Sequence, residues 1–421
     1  MVGVLVVGAG IAGLTTALSL HAAGWRDVRV IDAAVELRPI GAGLNVLPNA
    51  VRELAALGLL EELARVSVST AELRYYHRGG DLILREPRGV EAGYRWPQLS
   101  IHRGPLQAVL VEAVRARLGA GAVTTGLRVV DLDRGSDGRW RVVVARPSGE
   151  REVLGTDVLV GADGIRSAVR ELLHPAHPGP RRRLGMTIYR GTADRAPFAD
   201  GRTMIVGGDE ERKAVVYPLT TAAPGGAAVV NWAVVTPTPP DAGGAVDWNR
   251  PVPASGFIDQ FAGWRFADVD VADLIRGSDP VLEYPMADID PLDDWSVGSA
   301  TLVGDAAHAM VPMGSNGATQ SVVDARALAH HLTATDDPAA ALTAYEQLRR
   351  PVTTGIQRAN REYGPEAVVN LAHRAAPDGF DEQSPPFSRR ELRELIDGYA
   401  RICGFDVATV NTGSPFGHTA P

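Results

Sequence analysis

The chain has 421 residues, of which 45% are hydrophobic and 22% are charged, and its formal net charge is −8. This length allows two or three domains with a large buried core, and the acidic balance argues against a nucleic-acid-binding surface. No run of about 18 apolar residues is present and the chain starts with a predicted strand, so we expect a cytoplasmic protein without a membrane span or signal peptide.

The N-terminal stretch VLVVGAGIAG has the pattern of a dinucleotide-binding turn. Residues 4–7 predict a buried strand, Gly8, Gly10 and Gly13 form a GxGxxG turn, and a helical period follows. The first glycine allows a tight turn, the second lets the backbone approach a pyrophosphate, and the third lets helix and strand pack closely. A purely structural glycine turn is the alternative interpretation.

An acidic residue completes this pattern. A second predicted strand, 28–31, is followed by Asp32, which can accept hydrogen bonds from a ribose. Strand, turn, helix, strand and acid within about 30 residues favour dinucleotide binding over a structural turn.

The remaining periodicity predicts helices and strands in alternating blocks. Helical periods cover 50–64, 104–118, 316–332, a stretch reaching about 370, and 389–400, and an irregular, mobile tail is predicted after Ala400. Strand patterns form a hairpin that turns at Gly79–Gly80, an antiparallel set between 184 and 285, and buried strands before Asp163 and Asp305.

These elements predict an α/β fold (α+β overall), in which a Rossmann-like dinucleotide-binding domain carries an inserted antiparallel-sheet domain and C-terminal helices. The predicted dinucleotide-binding domain comprises residues 1–70, 98–183 and 285–340. The predicted substrate domain comprises 71–97 and 184–284, and 341–421 form a helical segment with a tail.

Two further acids stand at the carboxyl ends of predicted buried strands. Asp163 ends DVLVGAD and Asp305 ends TLVGD, and open α/β sheets bind ligands at this edge. A helix N-cap is the alternative for either acid alone. Two such acids together with the glycine turn favour cofactor contact.

Three motifs, GAGIAG, GADGIRSAVR and LVGDAAHAMVPMGSNGA, are similar in order and spacing to the signatures of FAD-dependent aromatic hydroxylases, the family of p-hydroxybenzoate and salicylate hydroxylases. The resemblance covers residues 1 to about 360. The segments EPRGVEAGYRWPQLSIHRGPLQAVL (86–110) and RPIGAGLNVLPNAV are similar to phenazine hydroxylases that act on 5-methylphenazine-1-carboxylate.

The resemblance implies an enzyme of secondary metabolism that hydroxylates an aromatic, phenazine-like fused ring with FAD, O₂ and transiently bound NADH or NADPH, through a flavin C4a-hydroperoxide. It implies no catalytic side chain and no metal, and a monomer or homodimer. The alternatives are a monooxygenase of a single-ring phenol, a salicylate or a polyketide aromatic, another FAD enzyme such as a halogenase or reductase, and a flavin-binding protein without turnover.

The resemblance also implies a set of cofactor-binding residues. They are Gly8, Gly10, Ala12, Gly13, Asp32, Gly41, Gly43, Arg103, Val129, Asp163, Asp305, Gly314, Gly317 and Ala318. Among them, Asp305 would accept ribityl hydroxyls, Gly314 to Ala318 would face the flavin, and Val129 would flank the adenine. The family usually has Glu at the position of Asp32, so the ribose contact here could require a water molecule.

Aromatic and apolar residues of the inserted sheet and of the third motif are the candidate ring contacts. They are Tyr189, Tyr217, Trp232, Pro312 and Met313, each of which could equally be a core residue. Arg190 could meet a substrate carboxylate or form a surface ion pair. His308 and the single cysteine, Cys403, are predicted to be structural.

Overall fold

The structure, a computed structural model, describes residues 3–38, 41–223, 225–238 and 250–417. The helices within these ranges are α1 (Ile11–Ala22), α2 (Pro48–Ala56), α3 (Leu60–Arg65), α4 (Arg103–Leu118), α5 (Ala168–Leu173), α6 (Val271–Arg276), α7 (Asp305–His308), α8 (Asn316–Ala334), α9 (Pro338–Arg361), α10 (Ala367–Ala375), α11 (Arg389–Ile402) and α12 (Val407–Asn411). None of the helices in this described part is both long and apolar enough to cross a membrane.

The strands form sheets of very different size. They are β1 (Val4–Val7), β2 (Val28–Asp32), β3 (Gly43–Val46), β4 (Ser67–Thr70), β5 (Glu72–His77), β6 (Leu82–Pro87), β7 (Gln98–His102), β8 (Val123–Thr125), β9 (Arg128–Arg134), β10 (Trp140–Ala145), β11 (Arg151–Thr156), β12 (Val158–Gly161), β13 (Arg181–Arg195), β14 (Thr203–Gly208), β15 (Lys213–Pro218), β16 (Ala228–Pro237), β17 (Arg250–Pro251), β18 (Arg265–Phe266), β19 (Val269–Asp270), β20 (Leu282–Asp288) and β21 (Ala300–Leu302).

The first sheet is parallel, has five strands and has the strand order β21–β12–β1–β2–β8. Its middle strands β1 and β12 are buried throughout, as expected for a parallel sheet covered on both faces. The loops after β1, β12 and β21 carry the three sequence motifs, so the carboxyl ends of neighbouring strands bring them together. This arrangement confirms the predicted Rossmann-like α/β fold.

A second sheet of eight strands has the order β17–β20–β13–β16–β15–β14–β5–β6. Its neighbours are antiparallel except β14 and β5, which run parallel. The strands come from two separate parts of the chain, because β5 and β6 join the set from β13 to β20. The domain boundaries drawn from the sequence stay a prediction.

Two predicted elements differ from the structure. The helix predicted over 50–64 is two helices, α2 and α3, because Gly58 between them has a φ of +69° that ends the first. The predicted irregular tail contains α12. The hydroxyl of Tyr94 donates to the carbonyl of Phe405, and the side-chain amide of Asn411 donates to the carbonyl of Gly93 at 2.8 Å, which fixes this segment.

Candidate active site

The turn between β1 and α1 forms a cradle made of backbone. Gly8 has a φ of +111°, and a Cβ there would strike the carbonyl of Ala162. A Cβ on Gly13 would strike the carbonyl of Gly8, so glycine is needed where α1 packs on the turn. A Cβ on Gly10 would meet no atom within 4 Å. The turn therefore leaves open space in front of the N-terminus of α1.

A second helix N-terminus faces the same cavity. Helix α8 follows Ser315, which has a φ of +60° and makes no side-chain cap hydrogen bond. Gly317 and Ala318 in its first turn line the cavity together with Gly10. Free N–H groups and the helix dipole make both N-termini favourable positions for negative charge.

Asp32 is held at the edge of the glycine turn by the backbone. Its carboxylate accepts the N–H groups of Ala9 and Ala34, each at 2.7 Å. These hydrogen bonds fix the position of the acid relative to the turn. Each carboxylate oxygen has a second lone pair, so the acid can still accept a hydrogen bond from a ligand.

The acids of the other two motifs have different surroundings. Asp163 accepts the hydroxyl of Ser167 at 2.5 Å and the N–H of Val169 at 3.2 Å, at the start of α5. Burial raises the pKa of Asp163, and these hydrogen bonds oppose the rise. Asp305 is exposed, lines the cavity and shares no hydrogen bond with another residue of the described ranges. Helix capping thus accounts for Asp163, whereas Asp305 is available to a ligand.

A glycine pair and an arginine join the cradle to the eight-stranded sheet. Arg103, the first residue of α4, is exposed and lines the cavity, and its side chain packs against Gly41. The N–H of Gly43 donates to Oδ1 of Asn231 on β16 at 2.7 Å. A Cβ on Gly43 would lie 2.8 Å from the ring of Tyr217. The chain therefore passes close to the sheet at this point.

One face of the eight-stranded sheet forms the opposite wall of the cavity, whose volume is about 310 Å³. Alternate residues of three strands face it, as the pleat requires. The residues on this face are Ile188 and Arg190 on β13, Val215 and Tyr217 on β15, and Asn231, Ala233 and Val235 on β16. The wall is mostly apolar, with a few polar groups.

Arg190 is the charged group of this wall. Its guanidinium lies 5.6 Å from the ring centre of Tyr284, and its Nε is buried without a hydrogen-bond partner in the described part of the chain. Burial raises the pKa of Tyr217, while the nearby Arg190 opposes the rise. A buried, unpaired N–H donor beside apolar walls is suited to a ligand oxygen.

The structure brings most of the predicted contacts to this cavity, and places others elsewhere. Those that line it are Gly10, Ala12, Gly43, Arg103, Asp305, Gly317, Ala318, Tyr217, Pro312 and Met313. Gly8, Gly41 and Gly314 lie in adjoining loops, and Gly13 lies in the first turn of α1. Val129 does not line it, because its side chain is buried in the core on β9, where the residue pairs with Val144.

Tyr189 and Trp232, both predicted as ring contacts, lie on the far face of the sheet. Tyr189 stacks on Phe257 with 3.8 Å between ring centres, and Nε1 of the fully buried Trp232 donates to Oγ of Ser278 at 2.7 Å. Tyr189 lies between the cavity-facing residues Ile188 and Arg190, and Trp232 lies between Asn231 and Ala233, so both side chains point to the opposite face. An aromatic ring alone does not indicate which face of a strand it occupies, because the face is set by the alternation of side chains along the strand.

The cavity is also lined by residues that the sequence interpretation did not select, among them Asn231, Met204 and Glu366. Asn231 is the polar residue inside the apolar run AVVNWAVV, and its place two residues from Ala233 on β16 could have identified it. Met204 faces the cavity from β14, and Glu366 faces it from the turn before α10. No local pattern marks Glu366, since it reaches the cavity only through the long-range path of the chain.

His308 is a buried structural residue, as predicted. Its Nε2 lies 2.5 Å from a carboxylate oxygen of Asp324, whose other oxygen accepts Nε of Arg349 at 2.7 Å. Burial acts to raise the pKa of Asp324, but His308 and Arg349 outweigh it and lower this pKa to about 2. Cys403 is also buried, and burial raises the pKa of its thiol to about 12, which fits the predicted packing role.

The fold and the cradle are those of a dinucleotide-binding protein, and a family model identifies the dinucleotide as FAD. The FAD binding domain family matches residues 1–251 and 267–360, so the chain belongs to this family. The family that the sequence motifs predicted is thereby confirmed.

Two relatives of named activity are similar to this protein over most of its length. A phenazine 1,6-dicarboxylic acid hydroxylase, PhzS, of Lysobacter antibioticus is 44% identical over 365 residues, covering 85% of this chain and 89% of the relative. A 3-amino-4-hydroxybenzoate 2-monooxygenase, PtmB3, of Streptomyces platensis is 34% identical over 422 residues and covers 97% of both chains. The chain is therefore an FAD-dependent enzyme of the aromatic monooxygenase and hydroxylase type.

The fold agrees with solved structures of such flavoproteins. HpxO of Klebsiella pneumoniae, in complex with FAD and uric acid, superposes with a TM-score of 0.72 at 24% identity, covering 99% of this chain and 98% of that chain. At this identity the likeness concerns the fold alone.

Proposed function

We propose that this enzyme hydroxylates a phenazine that carries at least one carboxylate, with NADH or NADPH as reductant and O₂ as oxygen source. The observation that carries the proposal is Arg190, whose buried Nε has no partner in the described part of the chain, on an apolar wall opposite the backbone cradle. The similarity to a phenazine 1,6-dicarboxylic acid hydroxylase agrees with this choice of ring.

The cradle fits FAD, because a Cβ on Gly10 would fill open space that a pyrophosphate needs. We infer that the N-terminus of α1 holds the pyrophosphate, that Asp32 binds the ribose, and that Asp305 accepts ribityl hydroxyls. The N–H groups of Gly317 and Ala318 would meet the polar edge of the flavin. The partial positive charge at the N-terminus of α8 would stabilise the reduced, anionic form of the flavin ring.

The sheet wall would hold the aromatic substrate. Met204, Val215 and Met286 supply apolar area for a planar ring, and the guanidinium of Arg190 can donate to a carboxylate. The apolar lining also excludes water from the reacting ring.

When bound, FAD would supply the redox and oxygen chemistry of a hydroxylation in which one atom of O₂ enters the ring and the other leaves as water. The protein positions the ring, excludes water and stabilises charge. This division of labour explains why the cavity needs no nucleophilic side chain.

The proposal is tested by NAD(P)H oxidation in a panel of aromatic carboxylates. Phenazine-1-carboxylate and phenazine-1,6-dicarboxylate should accelerate oxidation and yield products heavier by one oxygen atom, or the same product after loss of CO₂. Peroxide formation without an oxygenated ring would show that the phenazine is bound but not placed for reaction.

A single-ring aminohydroxybenzoate is the second candidate. The observation that favours it is the similarity to PtmB3 over nearly the whole of both chains. If 3-amino-4-hydroxybenzoate is hydroxylated and every phenazine is inert, this second candidate replaces the first.

A further inference from the structure

A second chamber lies near the ring cavity. This chamber, which we call the outer chamber, has a volume of about 320 Å³ and lies between β6 and α11. A small cavity of about 30 Å³, which we call the passage, shares wall residues with both. Met204, Ser315 and Glu366 line both the ring cavity and the passage, while Arg88 and Gln98 line both the passage and the outer chamber.

Glu366 is a buried carboxyl group at the junction of the ring cavity and the passage. The backbone N–H of Gly314, in the loop before α8, and the Lys213 ammonium both act to lower the pKa of this carboxyl group. Burial raises the pKa of Tyr75 on β5 and of Tyr399 on α11, and the nearby charge of Glu366 adds to the rise in both. Burial outweighs the effect of Lys213 and raises the pKa of Glu366 to about 7.

Lys213 is held in place by neutral partners. It is the only lysine of the chain and is 1% exposed. Its Nζ donates to Oδ1 of Asn370 at 2.8 Å and to the carbonyl of Asp209 at 3.1 Å, and it lies 4.5 Å from the ring centre of Tyr363. Burial lowers the pKa of Lys213, and the carboxyl groups of Glu366, Asp209 and Glu210 oppose this fall, so the ammonium form of the lysine stabilises the ionised form of Glu366.

Tyr75 and Glu86 extend the polar groups from the passage to the outer chamber. Tyr75 is fully buried in the passage wall, and its hydroxyl donates to Oε2 of Glu86 at 3.5 Å. Glu86 lines the outer chamber and accepts a guanidinium N–H of Arg88 at 3.0 Å. Burial raises the pKa of Glu86, with Arg88 opposing. The passage is large enough for one water molecule, which can connect Glu366 with Tyr75.

The geometry points to a proton path from the ring cavity through Glu366 and Tyr75 to Glu86, in which Glu366 exchanges the proton with an aromatic hydroxyl in the cavity. This inference rests on the proposed function, since a hydroxylated ring is its product.

The proton steps balance along this path. The aromatic O–H gives its proton to the carboxylate of Glu366. From there the proton passes to the water in the passage, and the hydroxyl of Tyr75 takes one proton from that side as it gives one to Glu86. The negative charge that Glu86 carried then lies on the aromatic oxygen, Glu86 regains its charge when it gives the proton to solvent in the outer chamber, and no oxidant or reductant is consumed.

The test uses the FAD-loaded protein and a hydroxyphenazine, whose absorbance changes when its hydroxyl ionises, without reductant. The first readout is the ionisation of the bound probe as a function of pH, and the second is proton release to an indicator dye after rapid mixing. We expect Glu366→Gln to abolish the ionisation step near neutral pH and to slow proton release by roughly 100-fold. Glutamine keeps the size of the side chain and removes only the titratable group, and an FAD titration of the variant measures whether the cofactor is retained.

Tyr75→Phe supplies a second variant and Tyr76→Phe its matched control. Tyr75→Phe should slow proton release but preserve the pH of ionisation, because Glu366 remains. Tyr76, the next residue of β5, faces the opposite side of the sheet, where it stacks on Phe266 with 5.6 Å between ring centres. Its variant should release the proton at the wild-type rate.

The path is refuted if Glu366→Gln and Tyr75→Phe both behave like the wild type. If Glu366→Gln does not retain FAD, Tyr75→Phe decides: a wild-type rate there overturns the path. A wild-type enzyme that exchanges the proton but hydroxylates no ring contradicts the proposed function instead. One that hydroxylates phenazines while neither variant slows proton release contradicts only the proton path.

Discussion

The two walls of the cavity are built in different ways. The cradle uses backbone: the turn at Gly8 to Gly13 and the N-terminus of α8 face the cavity with N–H groups. The sheet wall uses side chains, and alternate residues such as Arg190 and Tyr217 reach the cavity while their neighbours enter a core. A backbone wall suits one cofactor, whereas a side-chain wall can change its ligand by substitution.

The largest effect is expected for a substitution in the cradle that lowers FAD affinity without lowering the stability of the apoprotein. Gly10→Ala should lower FAD affinity by more than about 100-fold, which corresponds to about 2.7 kcal/mol, because the new Cβ enters the open space in front of α1. The thermal stability of the apoprotein should stay unchanged, since no protein atom lies within 4 Å of that Cβ.

Fluorescence titration of the apoprotein with FAD measures this effect. Gly121→Ala is the matched control, because a Cβ there also meets no atom within 4 Å but lies away from the cavity. Equal FAD affinity in both variants would mean that the cradle does not hold the pyrophosphate.

Asp305 and Asp163 offer a second comparison within the cradle. Asp305→Ala should weaken FAD binding by roughly 10- to 100-fold, as expected for lost hydrogen bonds to a charged group. Asp163→Ala should instead lower the free energy of unfolding by about 1 kcal/mol, because its carboxylate caps α5. Denaturant unfolding and FAD titration of both variants separate the roles, and an unchanged FAD affinity in Asp305→Ala would assign that acid no cofactor contact.

On the sheet wall, Arg190→Leu should affect the ring and leave the cofactor bound. We expect the dissociation constant of a phenazine carboxylate to rise about 10-fold through loss of a charge-assisted hydrogen bond. The affinity for a phenazine without a carboxylate should change much less. If both ligands lose affinity equally, Arg190 shapes the cavity and does not recognise the carboxylate.

The smallest effect concerns the far face of the same sheet. Trp232→Phe removes the hydrogen bond to Ser278 and should lower the free energy of unfolding by about 1 kcal/mol. The KM for the aromatic substrate should stay at the wild-type value. A raised KM with unchanged stability would restore Trp232 as a ring contact and remove the distinction between the two faces.

The cradle could be predicted from the sequence because its parts are local. Gly8, Gly10 and Gly13 belong to one turn whose strand and helix are visible as periodicity, and Asp305 follows a strand in a recognisable motif. Asp163 follows an equally good strand, yet its carboxylate caps α5. Sequence alone does not distinguish these two uses of an acid at a strand end.

The sheet wall was harder to predict because it depends on alternation and long-range folding. The aromatic rings of Tyr189 and Trp232 suggest a ring contact, but the pleat of the sheet turns both side chains away from the cavity. The partial burial of Arg190 could not be inferred from its strand. Glu366 lies outside all motifs, and only the return of the chain after α9 brings it to the cavity.

The central claim, that this cradle and this wall together hydroxylate a carboxylated phenazine, is tested most directly with isotopically labelled oxygen. The enzyme is incubated with FAD, NADH or NADPH, and phenazine-1,6-dicarboxylate under ¹⁸O₂, and the ring product is analysed by mass spectrometry. The account predicts a hydroxylated phenazine that contains one ¹⁸O atom per molecule. A product without the label, or labelled peroxide with an unchanged phenazine, would contradict it.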